Sequence, residues 1–502
     1  MDPLALVIAV LVAVHIATLV LIVPTILNLA GLASGRQKAF GRHLPSPDTR
    51  CNFEMAGPPP PISVVVPLLN EVEQVQELVS NLSEVDYPMV EFLLVDDGST
   101  DGTLEALEVV VERLAPEKRR AFRVLSNPSP PSKGKFEPLN RTLRVATGEI
   151  VGVLDADSRV SPNVLWCVVQ AFEGFGRGSN KGDKPRVIQV LWDYRNRSRN
   201  LMTRVIAATS DVTQRVYNNT RLSTELMLPT SGAGEFWDRS TLVELGGWHH
   251  SITEDIDLAF RAQLRGHQAH ITSHTRVNQL IPDHFSSFVG QQLRWATGFF
   301  QTFRKVGRNV LGSNHLSWRA KWDAVAQLTV YSLPALIYLN LLSFTGLALL
   351  GELSVVANPP LSWFLLTLVG CLSLGSAVMY LMPVWRLSQW PDYGPEVLPL
   401  LAGVSVLGMA MSPFFALSLF QGLLFKSHKF VRTPKVMAQR QGLGRLRPRS
   451  AMLTLSYITH IIVLGSTVVY SYLIYTEILF LPVLFYLGSF TLIYLVFLVF
   501  SW

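Results

Sequence analysis

Charged residues are scarce in this chain. They make up 16% of its 502 residues, where a soluble globular chain carries roughly a quarter. The shortfall is local, so the sequence reads as one water-soluble domain set between membrane spans. Cysteine is scarce as well. Cys51, Cys167 and Cys371 stand far apart without CxxC spacing, which suggests neither a disulfide framework nor a zinc site and fits a reducing compartment. A basic face on the central region is also lacking. The formal charge of +6 comes mostly from one loop near the C-terminus, and this excludes a nucleic-acid footprint.

Apolar sequence is abundant at both ends. Residues from about Leu4 to Ala33 are long enough to cross a bilayer, and they have no basic leader of the kind a cleaved signal carries. Arg36, Lys38 and Arg42 follow, which places that side in the cytoplasm by the positive-inside rule. The expected organisation is a spanning helix over 1–34, a basic and proline-rich linker over 35–61, a soluble domain over 62–323 and a spanning region over 324–502. Candidate spans in the last part are 324–351, 361–385, 397–425, 451–475 and 477–501. The loop Lys426–Arg449 has eight Lys or Arg and no acid, so it belongs inside. Three crossings before it would leave it outside. We assign 397–425, interrupted by Pro413, to an interfacial or re-entrant helix.

Within 62–323 the runs 62–67, 91–95, 122–126, 149–155 and 187–192 predict short strands buried on both faces. Helical patterns over Glu71–Glu84 and Thr103–Leu114 lie between them. Strands alternating with helices predict an α/β domain, a mostly parallel sheet covered on both faces. Ligands bind such sheets at the carboxyl ends of the strands. Asp96 and Asp97 (VDDGST) close the second predicted strand, and Asp155 and Asp157 (LDADS) close the fourth. The pairs could cap turns, or together form an acidic mouth for a hard cation such as magnesium or manganese. In SITEDID, Glu254 and Asp255 open a helix that Thr253 could cap. Gln291, Arg294 and Trp295 share about one turn of a helix.

The ordered series PLLNE (67–71), VDDGST (95–100), KFEPLN (135–140), DAD (155–157), TED (253–255) and QQLRW (291–295) resembles the family 2 glycosyltransferases. The nearer likeness is to their membrane-integrated branch of cellulose, chitin and hyaluronan synthases. The resemblance implies a GT-A-like domain using a nucleotide-sugar donor, UDP in the first instance, with Mg2+ or Mn2+. It implies that Asn70, Glu71, Asp96, Asp97, Lys135, Asp155, Asp157 and Arg294 bind the donor. Asp155 and Asp157 would hold the metal, Asp255 with Glu254 would be catalytic, and Asp255 would be the general base. Gln291, Trp295 and the Gly232–Ala233 loop would face the acceptor. Arg432, Thr433 and Lys435 (FVRTPK) would close over the donor. Leu69 departs from the pattern, because the family often has tyrosine there to stack on the base.

The resulting expectation is an inverting, metal-dependent synthase. It would be a multi-pass protein of the inner or plasma membrane, with its catalytic domain in the cytoplasm and membrane lipids around it. It would extend a β-linked polysaccharide. Transfer of the sugar to a membrane lipid is the alternative, and a transporter is a remote third.

Overall fold

A computed structural model describes residues 57–127, 132–174, 184–336 and 397–424, apart from a few isolated positions elsewhere. Eight strands form one sheet in the order β3-β2-β1-β4-β7-β6-β8-β5. β1 (Ile62–Leu68), β2 (Val90–Asp96), β3 (Phe122–Ser126) and β4 (Ile150–Val153) are mutually parallel. Their side chains alternate between two cores. Ile62, Val64, Val66 and Leu68 pack with Val75 and Leu78 of α1 (Val72–Leu82) on one face. Val65 meets Leu139, Trp237 and Leu258 on the other. Burial on both faces is why β1, β2 and β4 appear as apolar runs; β3 stands at the edge of the sheet with Arg123 and Ser126 exposed, contrary to the expectation of burial on both faces.

The second half of the sheet departs from the parallel expectation. β7 (Glu235–Asp238) runs antiparallel to both β4 and β6 (Val187–Tyr194). β8 (Ala269–Gln279) is parallel to β6, and the two-residue β5 (Arg159–Val160) is antiparallel to β8. The sheet is mixed. β7 has four residues and β8 alternates with polar side chains, so neither forms a recognisable apolar run. Their positions fix the site. Because β7 opposes β4, with Val153 opposite Glu235, its first residue lies at the edge where β1 to β4 end.

Helices α2 (Thr103–Glu112), α3 (Phe136–Leu143), α4 (Val164–Gly174) and α5 (Leu201–Asp211) precede α6 (Glu254–Leu264) and the long α7 (Phe285–Gly312). The first two predicted helices agree with α1 and α2. Cys167 on α4 is buried, with its Sγ 3.8 Å from the His274 carbonyl oxygen; the other two cysteines lie outside the described residues.

α8 (Trp318–Leu328) is clamped to the segment Asn219–Ser223 by a buried ion pair. Arg221 Nε donates to Asp323 Oδ2 at 3.0 Å and Nη2 to Oδ1 at 3.1 Å, with Gln327 and Asn218 completing the network.

α9 (Val397–Leu424) is one helix of 28 residues, and Pro413 does not interrupt it. The lost hydrogen bond is offset by packing along α7, where Ser418 Oγ reaches the Leu293 carbonyl at 3.3 Å and Gly422 abuts Phe300. Among the described residues no helix is long and apolar enough to cross a membrane. The other expected spans, at 1–34, 361–385, 451–475 and 477–501, lie outside the described residues, apart from a few isolated positions, as do 343–351 of the span 324–351 and the loop 426–449.

Removing one partner of the Arg221–Asp323 pair leaves a buried charge uncompensated, at a cost of ~3–5 kcal/mol. Asp323→Ala is therefore expected to lower the thermal midpoint far more than the double replacement Arg221→Met/Asp323→Leu. Equal losses for the two variants would contradict this assignment.

Candidate active site

The site lies at the carboxyl edge of the sheet, where the Lys135 ammonium meets Asp155 Oδ1 at 2.7 Å. Lys135 immediately precedes α3, and Asp155 follows β4. The ion pair therefore ties two separate segments across the mouth. Burial works against the lysine charge, but the carboxylates of Asp155, Glu254 and Glu235 outweigh it and hold the ammonium well above the usual lysine range.

Glu254 and Asp255 reach the same pocket from the first turn of α6. Both carboxyls are pushed above the ordinary carboxylate range, chiefly by burial. The Asp255 charge adds to this for Glu254, and the Asp155 charge adds to it for Asp255. Lys135 opposes the shift at both, and the Ile256 N–H donates to Asp255 Oδ1 at 2.8 Å. Thr253 does not cap the helix with its side chain. Its Oγ1 instead lies 3.1 Å from Thr302 Oγ1 on α7. Gly298 makes that approach possible, since a Cβ there would fall 2.6 Å from Thr253 Cγ2. α7 is thus seated directly against the Glu254–Asp255 turn. Arg294 on this helix interacts electrostatically with Glu254, Asp155 and Asp255. Gln291 is buried and Trp295 half-buried.

The 231–234 loop forms the roof. Gly232 has φ +74°, and a Cβ on it would sit 3.1 Å from Asp255 Oδ2 and 3.7 Å from Lys135 Nζ. Ala233 is fully buried, and its carbonyl accepts from Gln189 Nε2 at 3.0 Å and Trp192 Nε1 at 2.7 Å. Gln189 also accepts from the Ser231 N–H through Oε1 at 2.9 Å.

The aspartates of the DDGST turn divide their work. Asp96 Oδ2 accepts from the N–H groups of Gly98 and Ser99, both at 3.1 Å, so Asp96 caps its own turn. Asp97 accepts from Asn127 Nδ2 at 2.7 Å and Ser132 Oγ at 2.6 Å, joining the end of β3 to the segment that carries Lys135. Asn70, at φ +53°, accepts from the Thr100 N–H at 2.8 Å, and the Glu71 N–H donates to Thr103 Oγ1 at 2.9 Å. These contacts make one wall. Asp157 is buried and accepts from the Leu280 N–H at 2.9 Å through Oδ2, beside the end of β8.

Among the described residues no cluster of three or more His, Cys, Asp or Glu has metal-binding geometry. Asp155 and Asp157 nonetheless fit magnesium or manganese, which commonly take one or two carboxylates and complete their shell with phosphate oxygens and water.

The structure therefore brings Lys135, Asp155, Gly232, Glu254, Asp255 and Arg294 together, while Asn70, Glu71, Asp96 and Asp97 join turns at the same carboxyl edge of the sheet. Arg432, Thr433 and Lys435 lie outside the described residues. The sequence reading passed over Gln189 and Glu235. The signal for Glu235 was a lone acid inside the apolar stretch GEFW.

Gly232→Ala is expected to displace Asp255 and lower turnover about 100-fold, the usual effect of a misplacement near 1 Å, without unfolding the domain. Near-normal turnover would show that the roof does not touch the reacting groups.

Residues 59–298 match the family model described as glycosyltransferase like family 2. A β-monoglucosyldiacylglycerol synthase of Nostoc sp. is 29% identical over 285 residues, covering 56% of this chain and 58% of the relative. Glucomannan 4-β-mannosyltransferase 9 of Arabidopsis thaliana is 26% identical over 302 residues, covering 58% and 55%. The chain spans a little over half the length of these curated relatives. Among solved structures, the mannosyltransferase PcManGT of Pyrobaculum calidifontis, determined with GDP-Man and Mn2+, superposes with a TM-score of 0.52 at 19% identity. It covers 84% of this chain and 100% of its own, and shares the fold. Over residues 59–298 the chain is therefore similar to the family 2 glycosyltransferases.

Proposed function

We propose that the chain transfers a hexosyl group from a UDP-sugar to an acceptor hydroxyl with inversion at the anomeric carbon. The observation that carries this reading is the convergence of Lys135, Asp155 and Asp255 beneath Gly232. Ionised Asp255 accepts the proton of the acceptor hydroxyl while that oxygen bonds to the anomeric carbon. The bond from that carbon to the diphosphate breaks on the opposite face. Lys135 and Arg294 set positive charge against the leaving diphosphate, lysine as a point charge and arginine as a fork. Asp97 and the Asn70–Glu71 wall bound the nucleoside, and Trp295 offers a flat apolar face to a sugar ring. A divalent cation held by Asp155 and Asp157 would neutralise charge on the departing nucleotide.

Two acceptors fit this chemistry. Extension of a β-linked polysaccharide is the first, supported by the similarity to the glucomannan mannosyltransferase. Transfer to a membrane lipid is the second, supported by the similarity to the diacylglycerol-directed synthase. In either case the acceptor side of the pocket rests on α7, which packs along the uncharged α9. We infer a multi-pass membrane protein with its catalytic domain on the cytoplasmic side; this placement rests on the apolar runs and basic flanks of the sequence.

Incubation with a labelled UDP-sugar should leave product at the chromatographic origin for a polymer, or in the chloroform phase for a lipid. Label in neither fraction, across UDP- and GDP-sugars, would refute the transferase reading. Asp255→Asn should cut transfer by roughly 100-fold or more while nucleotide binding persists, and full activity would remove Asp255 as the base. Asp255 works ionised and its carboxyl is shifted upward. The rate should therefore rise with pH along a limb displaced above the ordinary aspartate value of about 4.

A further inference from the structure

One buried acid in the pocket has no part in the reaction just described. Glu235 opens β7 and is 1% exposed. Its Oε1 accepts a single long hydrogen bond, from Trp248 Nε1 at 3.4 Å, and its Oε2 meets no donor. Thr230 lies close enough to favour the charged form, but its hydroxyl is directed to the Asp255 carbonyl at 3.0 Å. Lys135, the nearest cation, is engaged by Asp155. From α6, Asp255 and Glu254 face Glu235 with charge of the same sign, and Arg294 on α7 stands beyond them.

Charge counting sharpens the point. Four acids (Asp155, Glu235, Glu254, Asp255) share the pocket with two cations (Lys135, Arg294). With Lys135 taken up by Asp155, the acids Glu235, Glu254 and Asp255 face Arg294 alone among these cations, in the place where an anionic diphosphate must bind. A buried carboxylate with one weak hydrogen bond is costly, whereas a neutral carboxylic acid is tolerated and can itself donate.

We propose that Glu235 is a proton-holding positioning residue. It is a carboxylic acid buried behind the Gly232–Gly234 turn, and its neutrality keeps Asp255 the ionised member of the cluster and admits the donor diphosphate. The proposal rests on the transferase reading of the site. Burial, then the charges of Asp255 and Glu254, push the Glu235 carboxyl up to about 8, with Lys135 opposing. The proton is therefore held through neutral pH.

The test compares wild type with Glu235→Gln, which is permanently neutral. The folded state binds this proton more tightly than the unfolded chain. The stability that the proton contributes is therefore full below the ordinary glutamate value of 4.5 and lost as pH rises towards about 8. The thermal midpoint of Glu235→Gln should gain on wild type by several degrees across that window. The wild-type KM for donor should rise about tenfold between about pH 7 and about pH 9, as a charge develops beside the diphosphate, and it should stay flat in the variant. Parallel stability curves would mean that Glu235 ionises as an ordinary glutamate and would overturn the proposal. Diverging curves in a protein that binds no nucleotide sugar would uphold the proton and sink the transferase reading instead. Should Glu235→Gln fail to fold, infrared spectra of the wild type decide. A protonated carboxyl band lost between about pH 7 and about pH 9 supports the proposal, and its absence near neutrality overturns it.

Discussion

The Lys135–Asp155 ion pair organises the rest of the site. Each partner sits at the end of a different segment, one before α3 and one after β4, so their 2.7 Å contact closes the mouth of the sheet. It also settles the electrostatics of everything nearby. A cation held in a half-buried pocket lowers the cost of the carboxylates gathered around it, and without it Glu254, Asp255 and Asp155 would repel one another. The same cation is available to a substrate that arrives with negative charge.

The site is assembled by packing as much as by charge. Gly232 leaves the roof thin enough for Asp255 and Lys135 to lie directly beneath it, and Gly298 lets α7 press on the Thr253 turn. Gln189, on β6, holds the roof loop from below at Ser231 and Ala233. None of these groups supplies chemistry of its own. They set the distances at which Asp255, Lys135 and Arg294 act, and transfer reactions are sensitive to errors of about 1 Å in such distances.

The two sides of the pocket that we propose for donor and acceptor are built differently. The donor side is made of turns pinned at strand ends: Asn70 to Thr100, Asp97 to Asn127 and Ser132, Asp157 to Leu280. The proposed acceptor side is made of α7, and α7 leans on the apolar α9.

Much of this was legible in the sequence, for local reasons. Strands β1, β2, β4 and β6 are buried on both faces and read as apolar runs; α1 and α2 show helical spacing; and the acids at strand ends declare the carboxyl edge. The ordered acidic and QQLRW motifs carried the resemblance to the family, because side chains at strand ends and helix starts keep their places along the chain. Other features depended on partners distant in sequence. The antiparallel placement of the four-residue β7 comes from pairing with β4 and β6, and it alone brings Glu235 into the pocket. Thr253 was readable as a cap, but contact with Thr302 turned its hydroxyl elsewhere. Pro413 read as a break, but packing against α7 carried the helix through it. The sequence by itself determined which residue types stand at the ends of its elements. Only the tertiary structure decided which of those ends meet, since charge balance and close approach belong to groups that the chain brings together from far apart.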